Sequence, residues 1–443
     1  MEIKQRMSKR FAWLLGIAVL VSIGLLVACG TSYHSTSDGL VIVGSQGSAL
    51  LQTFSFDLDN GGISSVYNST AGTGSETCVL PGQPEAIILD PAGAYAYAIL
   101  NSATSTLCQN TVTGIQAFKV NSDGTLTIVG SLVSDYSPVA MAMDSAGKFL
   151  FVAEGLGMPT SPTGGGVNVY SVSSGTLTAV GSYGVTFPTG AGYQAANLVA
   201  LAVTPTVFPS IGLNGQQNSI CSDPGNNPPS SEYLFVADAS NNNVVWEFSI
   251  DSSSGALGNP ISSPTQQSFT VGAVPSGVAV DPCDRFVYVS NKQSNSVSAF
   301  AVCNGLSTQP PSPKCPTGAN TPSDYLVPIA GSPFPIVGSS DFPGPLLVDP
   351  YGNTLYVLGT GSSSISIFRI SPVSGSLTAG NPATAATGAM PTSMAIRGDD
   401  SWLFVTNFTA GTLSEYSITP ASGGLTSVPP VYTDNYPWGV AVK

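Results

Sequence analysis

The stretch GVAVDPCDRFVYVSNKQSNSVSAFAV, residues 277–302, decides how this chain is read. It holds three short apolar runs, GVAV, FVYVS and SVSAF, separated by DPCDR and NKQSN. Two-residue alternation broken by Asp-Pro and by Asn and Ser predicts three strands joined by two tight turns. A three-stranded meander has two open edges and little buried surface, so alone it would be marginal. Its stability has to come from elsewhere in the chain.

The chain supplies relatives of it. PEAIILDPAGAYAYAIL begins at Pro84, SPVAMAMDSAGKFLFVAE at Ser137 and NLVALAVTP at Asn197. GPLLVDPYGNTLYVLGTGSSSISIFRI begins at Gly344 and TSMAIRGDDSWLFVTNFTAGTLSEYSI at Thr392. Each continues into a GTL-, GAL-, GSL- or GGL-like strand, giving units of four strands, a to d. Two fragments remain. Gly39 to Val66 carries strands b, c and d without a, and WGVAVK, residues 438–443, carries strand a alone. Joined, they complete one more unit. Repeats at such a period read as a propeller. The predicted fold is all-β: a seven-bladed β-propeller of four-stranded antiparallel blades, the C-terminal strand joining the N-terminal blade. Closure of this kind removes the exposed edges.

The composition agrees. The chain has 443 residues, 49 Gly, 34 Pro and only 8% charged residues, which favours strands and turns over long helices. The N-terminus is different. Lys4, Arg6, Lys9 and Arg10 precede an apolar run from Phe11 to Ala28, and the run ends in LVAC, residues 26–29. Basic, apolar and small residues in that order form a secretory signal. A Cys directly after Leu-Val-Ala resembles the bacterial lipobox, whose thiol is acylated and whose leader is cut before it. The expectation is a lipoprotein signal peptide over 1–28, Cys29 as the lipidated residue, a tether over 29–37 and the propeller over 38–443. Localisation is then the cell envelope, with the membrane held through lipid.

Without the leader the chain keeps 8 basic and 24 acidic residues, a net charge of −16. Such a surface repels nucleic acid, so no nucleic-acid partner is expected. Apart from Cys29, six cysteines remain: Cys78, Cys108, Cys221, Cys283, Cys303 and Cys315. An even number in an exported chain reads as disulfides, with 15 possible connectivities.

VAVDP, FVYVSN and NSVSAF in the opening unit, with LFVTN at 403–407, resemble the lactonase-like, or YVTN, seven-bladed propellers. That family includes 6-phosphogluconolactonase, lactonising enzymes and many surface proteins without assigned activity. The resemblance therefore implies the fold more than the function.

An up-and-down blade alternates its connections between two faces. The a–b and c–d turns lie at the bottom; the b–c and d–a connections lie at the top. Asp90, Asp144, Asp281 and Asp349 fall in a–b turns, where Asp serves the turn backbone. Asn291 and Asn407, ending strand b, read as turn caps. Cys78 and Cys108 fall on top and are each other's partners there. For the four bottom cysteines, Cys221–Cys283 and Cys303–Cys315 are favoured.

The single histidine, His34, lies in the tether, so a Ser-His-Asp triad or histidine metal site within the ring is excluded. No metal and no cofactor is expected. Arg285 and Arg397 fall in bottom turns and Arg369 on strand c. The top carries Lys292 against Glu76, Glu85, Asp135, Glu154, Asp238, Asp341 and Asp434, with Tyr136, Tyr183, Tyr193, Phe342, Tyr436 and Trp438 among them. Such a mouth repels phosphate and suits a neutral or cationic small molecule, a peptide or a protein. The candidate ligand-binding residues are Glu85, Asp135, Glu154, Asp238, Tyr436 and Trp438. The function expected first is a non-catalytic, lipid-anchored binding scaffold. The alternative is a lactonase-like hydrolase or isomerase acting on a small non-phosphorylated substrate. Insertions at 204–232 and 304–324 emerge at the bottom as a second candidate surface.

Overall fold

The computed structural model describes residues 39–443, apart from 59–60, 67–79, 105–108, 111, 156–164, 186–195, 205–231, 241, 259–266, 305–323 and 338–340. Gly39–Lys443 forms one compact unit. The leader, Cys29, His34, Glu76, Tyr193, Cys78, Cys108, Cys221, Cys315 and nearly all of both insertions lie outside the described residues.

Strands a to d of blade 2 are Gln83–Leu89, Tyr95–Asn101, Gly114–Val120 and Leu126–Ser134. Those of blade 3 are Pro138–Met143, Phe149–Glu154, Gly166–Ser173 and Thr176–Gly184. In blades 4 to 7, strand a is Leu198–Val203, Pro275–Val280, Pro343–Val348 and Pro391–Ile396. Blade 1 pairs Gly39–Ser45 with Pro437–Val442 on one side and with Leu50–Phe56 on the other. Seven antiparallel sheets result, and the C-terminal strand closes the first.

The core is divided among the joints of the ring. The buried apolar residues form seven clusters among the described residues, one at each contact between neighbouring blades. Strand b is the most deeply covered: Phe149–Glu154, Phe286–Asn291 and Trp402–Asn407 are buried throughout. Alternate residues of such a strand face the two adjacent blades, which is why YVTN-like strands are apolar on both faces. Among the described residues, the c–d turn glycine of every blade but blade 5 presses on the preceding blade. A Cβ at Gly255 (φ 73°) would meet the Phe149 ring at 2.4 Å, and one at Gly61 (φ 73°) the Trp402 ring at 2.3 Å. The second of these contacts crosses the seam between blades 7 and 1.

The a–b turns behave as expected. Asp90 accepts from Ala94 and Tyr95 N–H, Asp144 from Lys148 and Phe149, Asp281 from Arg285 and Phe286, and Asp349 from Tyr351 and Asn353. Asn291 and Asn407 cap the b–c turns, each amide donating to two hydroxyls of strand c.

One irregularity recurs in every blade. Pairing between strands a and b shifts register just after strand a begins, leaving Trp438, Glu85, Val139, Val199, Ser276 and Thr392 as bulged residues, with Gly344–Pro345 in blade 6. A bulge bends the strand and re-aims a side chain. In blades 5 and 7 it turns the residue toward the next blade. Ser276 Oγ donates to Pro343 O at 2.5 Å and Thr392 Oγ1 to Trp438 O at 3.0 Å.

Candidate active site

Strand b of blade 3 ends in Glu154 where blades 5 and 7 end in Asn291 and Asn407. The third residue of the following strand c answers this position in each blade: Ser298 and Ser414 in blades 5 and 7, Asn168 in blade 3. The capping device is therefore present in blade 3 with an acid in place of the amide. The connection from blade 2 to blade 3 then brings Asp135 over the same spot.

Asn168 Nδ2 donates to Asp135 Oδ1 at 2.6 Å and to Glu154 Oε1 at 3.4 Å. The Tyr170 hydroxyl donates to Asp135 Oδ2 at 2.8 Å, Tyr136 N–H to Asp135 Oδ1 at 3.0 Å, and Ser137 N–H to Glu154 Oε2 at 2.6 Å. Glu154 is fully buried, whereas Asp135 is partly open to solvent. Burial first, and then the Asp135 charge beside it, raise the Glu154 carboxyl to about 8. Two carboxyls this close do not both ionise near neutrality. Glu154 is the member pushed toward its protonated form, and Asp135 is the member that faces solvent.

Glu85 stands next to this pair. It accepts from Asn101 Nδ2 at 2.7 Å, and Asn101 also donates to Pro138 O at 3.3 Å, where strand a of blade 3 begins. Burial raises the Glu85 carboxyl as well. Asp238 is placed differently. It is fully buried and accepts from Asn197 N–H, Ser240 N–H and Trp246 Nε1–H, so it brackets blade 4 internally. Tyr436 and Trp438 lie at the start of the blade 1 strand next to that of Glu85, where a Cβ at Gly439 would sit 3.1 Å from Glu85 O, and both rings are against Phe408, with centroids at 4.9 and 5.4 Å. The structure thus joins Asp135 and Glu154, links Glu85 to the start of blade 3 through Asn101, leaves Asp238 within blade 4, and places Tyr436 and Trp438 at the start of the strand next to that of Glu85 with their rings on Phe408.

The charges sort as the blade parity predicts. Arg285 pairs with Asp281 at 2.6 Å, Arg397 with Asp399, and Arg369 donates to Thr354, all at the bottom. Lys292 is the only cation in the described top connections, and it is exposed.

Sequence reasoning missed Asn168 and Tyr170. The signal was available in the aligned repeats. Position five of strand c is aromatic in every blade (Phe54, Phe118, Tyr170, Phe248, Phe300, Phe368 and Tyr416), so a hydroxyl there reads as packing. The acid at the end of strand b, in place of the capping Asn, marks blades 3 and 4 alike, and only Asn168 opposite it distinguishes blade 3.

Residues 336–439 match the family model described as Lactonase, 7-bladed beta-propeller. No curated protein sequence matches the chain. Among solved structures, a candidate 6-phosphogluconolactonase from Bacteroides fragilis superposes with a TM-score of 0.61 at 16% identity, covering 94% of this chain and 99% of its own. A second candidate 6-phosphogluconolactonase, from Bacteroides uniformis, gives 0.64 at 16% identity over 92% and 99%. The periplasmic gluconolactonase of Pseudomonas aeruginosa gives 0.62 at 17% identity over 92% and 99%. The chain is a seven-bladed β-propeller that resembles the lactonase propellers in sequence over residues 336–439 and in fold over more than nine-tenths of its length.

Proposed function

We propose that the protein is a hydrolase of uncharged lactones, exported and tethered by lipid on Cys29, with Asp135 as the group that acts on water. The single observation that carries the reading is the Asp135–Glu154 pair bridged by Asn168, with one carboxyl fully buried and the other partly exposed. The scaffold expected first rested on the missing histidines and misplaced arginines. An acid pair needs neither, and the lactonase-like sequence and fold favour the hydrolase reading.

Asp135 removes a proton from water as its oxygen attacks the lactone carbonyl carbon. The ring C–O bond of the tetrahedral adduct then breaks, and Asp135 returns the proton to the departing ring oxygen. The product is the open hydroxy acid, and Asp135 ends ionised as it began. Glu154, Asn168 and Tyr170 position it, and the Glu154 proton keeps a second charge out of the site. General acid–base action of this kind contributes about 10²- to 10⁴-fold. A phosphorylated lactone is disfavoured by sign, since acids crowd the top and Lys292 is the one base near it.

The test compares δ-gluconolactone with 6-phosphogluconolactone, each corrected for spontaneous opening. We expect turnover of the first, lowered at least about 100-fold in Asp135→Asn. Equal turnover by the variant would sink the reading.

A further inference from the structure

The residue just before the proline that opens strand a is Val274, Phe342, Met390 and Tyr436 in blades 5, 6, 7 and 1. All four have left-handed backbone, with φ of 55°, 44°, 56° and 60°. Side chains other than Gly and Asn rarely adopt it, and for a β-branched or bulky residue it is an outlier. Each makes one bond that blades 3 and 4 also make, from Gly155 to Ser137 at 2.9 Å and Ala239 to Asn197 at 2.8 Å, without left-handed backbone. Its carbonyl accepts from the first b–c loop amide of the same blade: Lys292 at 2.7 Å, Thr360 at 3.3 Å, Phe408 at 2.9 Å and Gln46 at 3.0 Å.

Backbone of this sort could serve to bring a side chain into a core. Here it does the opposite. Phe342, Met390 and Tyr436 are 49%, 46% and 49% exposed, among the most exposed large apolar residues described. The equivalent residues of blades 2, 3 and 4 are Gln83, Ser137 and Asn197, polar and without left-handed φ. The rim of the top face therefore has two halves. Blades 2 to 4 offer polar residues, and the exposed Tyr136, beside Glu85, Asp135 and Glu154. Blades 5, 6, 7 and 1 offer an apolar arc on strained backbone, a combination found at ligand clamps.

We infer that the ligand of the top face is amphipathic: a lactone whose ring meets Asp135 and whose alkyl or aryl arm lies across Phe342, Met390 and Tyr436. The inference rests on the hydrolase reading for the reacting end alone; the apolar end stands on the arc. A bare polyol has nothing to place against three half-exposed apolar side chains, and water gains nothing from them.

The experiment measures binding and turnover with an alkyl-substituted lactone, δ-decalactone, and with δ-gluconolactone. Calorimetric binding uses Asp135→Asn, which separates binding from reaction. We expect δ-decalactone to bind at least tenfold more tightly, and the preference to vanish when Phe342→Asn, Met390→Asn and Tyr436→Asn are added. Asn accepts left-handed backbone, so these changes should leave the melting temperature unchanged or raised. Equal affinity for the two lactones overturns the inference, as does a melting temperature many degrees lower, which would make the arc a packing element. A dimer that the triple variant dissociates also overturns it, assigning the arc to a second copy of the chain. Tight binding of δ-decalactone with no hydrolysis by the parent protein would support the apolar arm and remove the lactonase reading.

Discussion

Thr406, at 2.8 Å, donates its hydroxyl to the carbonyl of Trp438, so blade 7 holds the strand that closes the ring. Thr406 is fully buried, and Thr392 Oγ1 donates to the same carbonyl. The closing strand is thus held by ladder bonds to Gly39–Ser45 and by this clasp from the other side. We expect Thr406→Val to cost about 1 kcal/mol, read as a fall of roughly 2 °C in melting temperature. Deleting residues 436–443 should do far more, because it exposes the edge of Gly39–Ser45 and removes the carbonyl that blade 7 clasps. A truncated protein melting within a degree of the parent would contradict closure by this strand.

Stability should fall as pH rises. Glu415 is buried in the contact between blades 7 and 1, on the same face of its strand as Leu413, and burial alone raises its carboxyl to about 8. Asp400 is raised to about 7, first by burial and then by the Asp349 charge. A carboxyl raised on folding binds its proton in the native state over a pH range where the unfolded chain has released it. Its contribution is complete below about pH 4.5 and is lost as pH climbs through 7 to 8. Melting temperature at pH 5 should exceed that at pH 9, and Glu415→Gln should shrink the difference. An unchanged difference in that variant would place the titration elsewhere.

The same logic gives the activity profile. With Glu154 raised to about 8, kcat/KM for δ-gluconolactone should decline above that pH, as a second charge enters beside Asp135. In Glu154→Gln the alkaline limb should disappear while activity near neutrality persists at a reduced level. A limb that stays at pH 8 in the variant would free Glu154 of the role. The apparent value belongs to the pair as a unit.

Lipidation is read from LVAC after a basic, apolar leader. Expression in a bacterial host with a labelled fatty acid should label the protein, and Cys29→Ser should abolish the label. Label that persists in Cys29→Ser would move the attachment elsewhere or remove it.

For the remaining cysteines, peptide mapping without reduction should yield Cys78–Cys108, Cys221–Cys283 and Cys303–Cys315. Cys283 and Cys303 are buried at the bottom and are not free thiols. A Cys283–Cys303 linkage would show that the bottom pairing is misassigned.

The fold was legible because each blade repeats the same period-2 strands and turn residues, and because two incomplete fragments sum to one blade. Blade parity then placed Asp135 and Glu154 on one face correctly. What it could not give was radial position. Asp238 and Glu154 occupy the same place in their repeats, yet Trp246 Nε1–H and two backbone amides engage Asp238, while Asn168 leaves Glu154 to share a site with Asp135. That difference lies in which strand c side chain stands opposite, a contact across the blade and not along it. The left-handed arc was hidden for another reason: Val, Phe, Met and Tyr are residues from which no sequence rule would propose positive φ.

The bulge that opens every inner strand has an evolutionary consequence. A bulged residue sits outside the pairing ladder, so its identity is not dictated by its partner strand. Trp438, Glu85, Val139, Val199, Ser276 and Thr392 show how widely the side chain differs among blades of one chain. Architecture is vested in the b strands and in the glycines that press blade on blade. The rim can consequently be rewritten one blade at a time, and a lineage built on this ring can acquire a new ligand without first surviving an unstable intermediate.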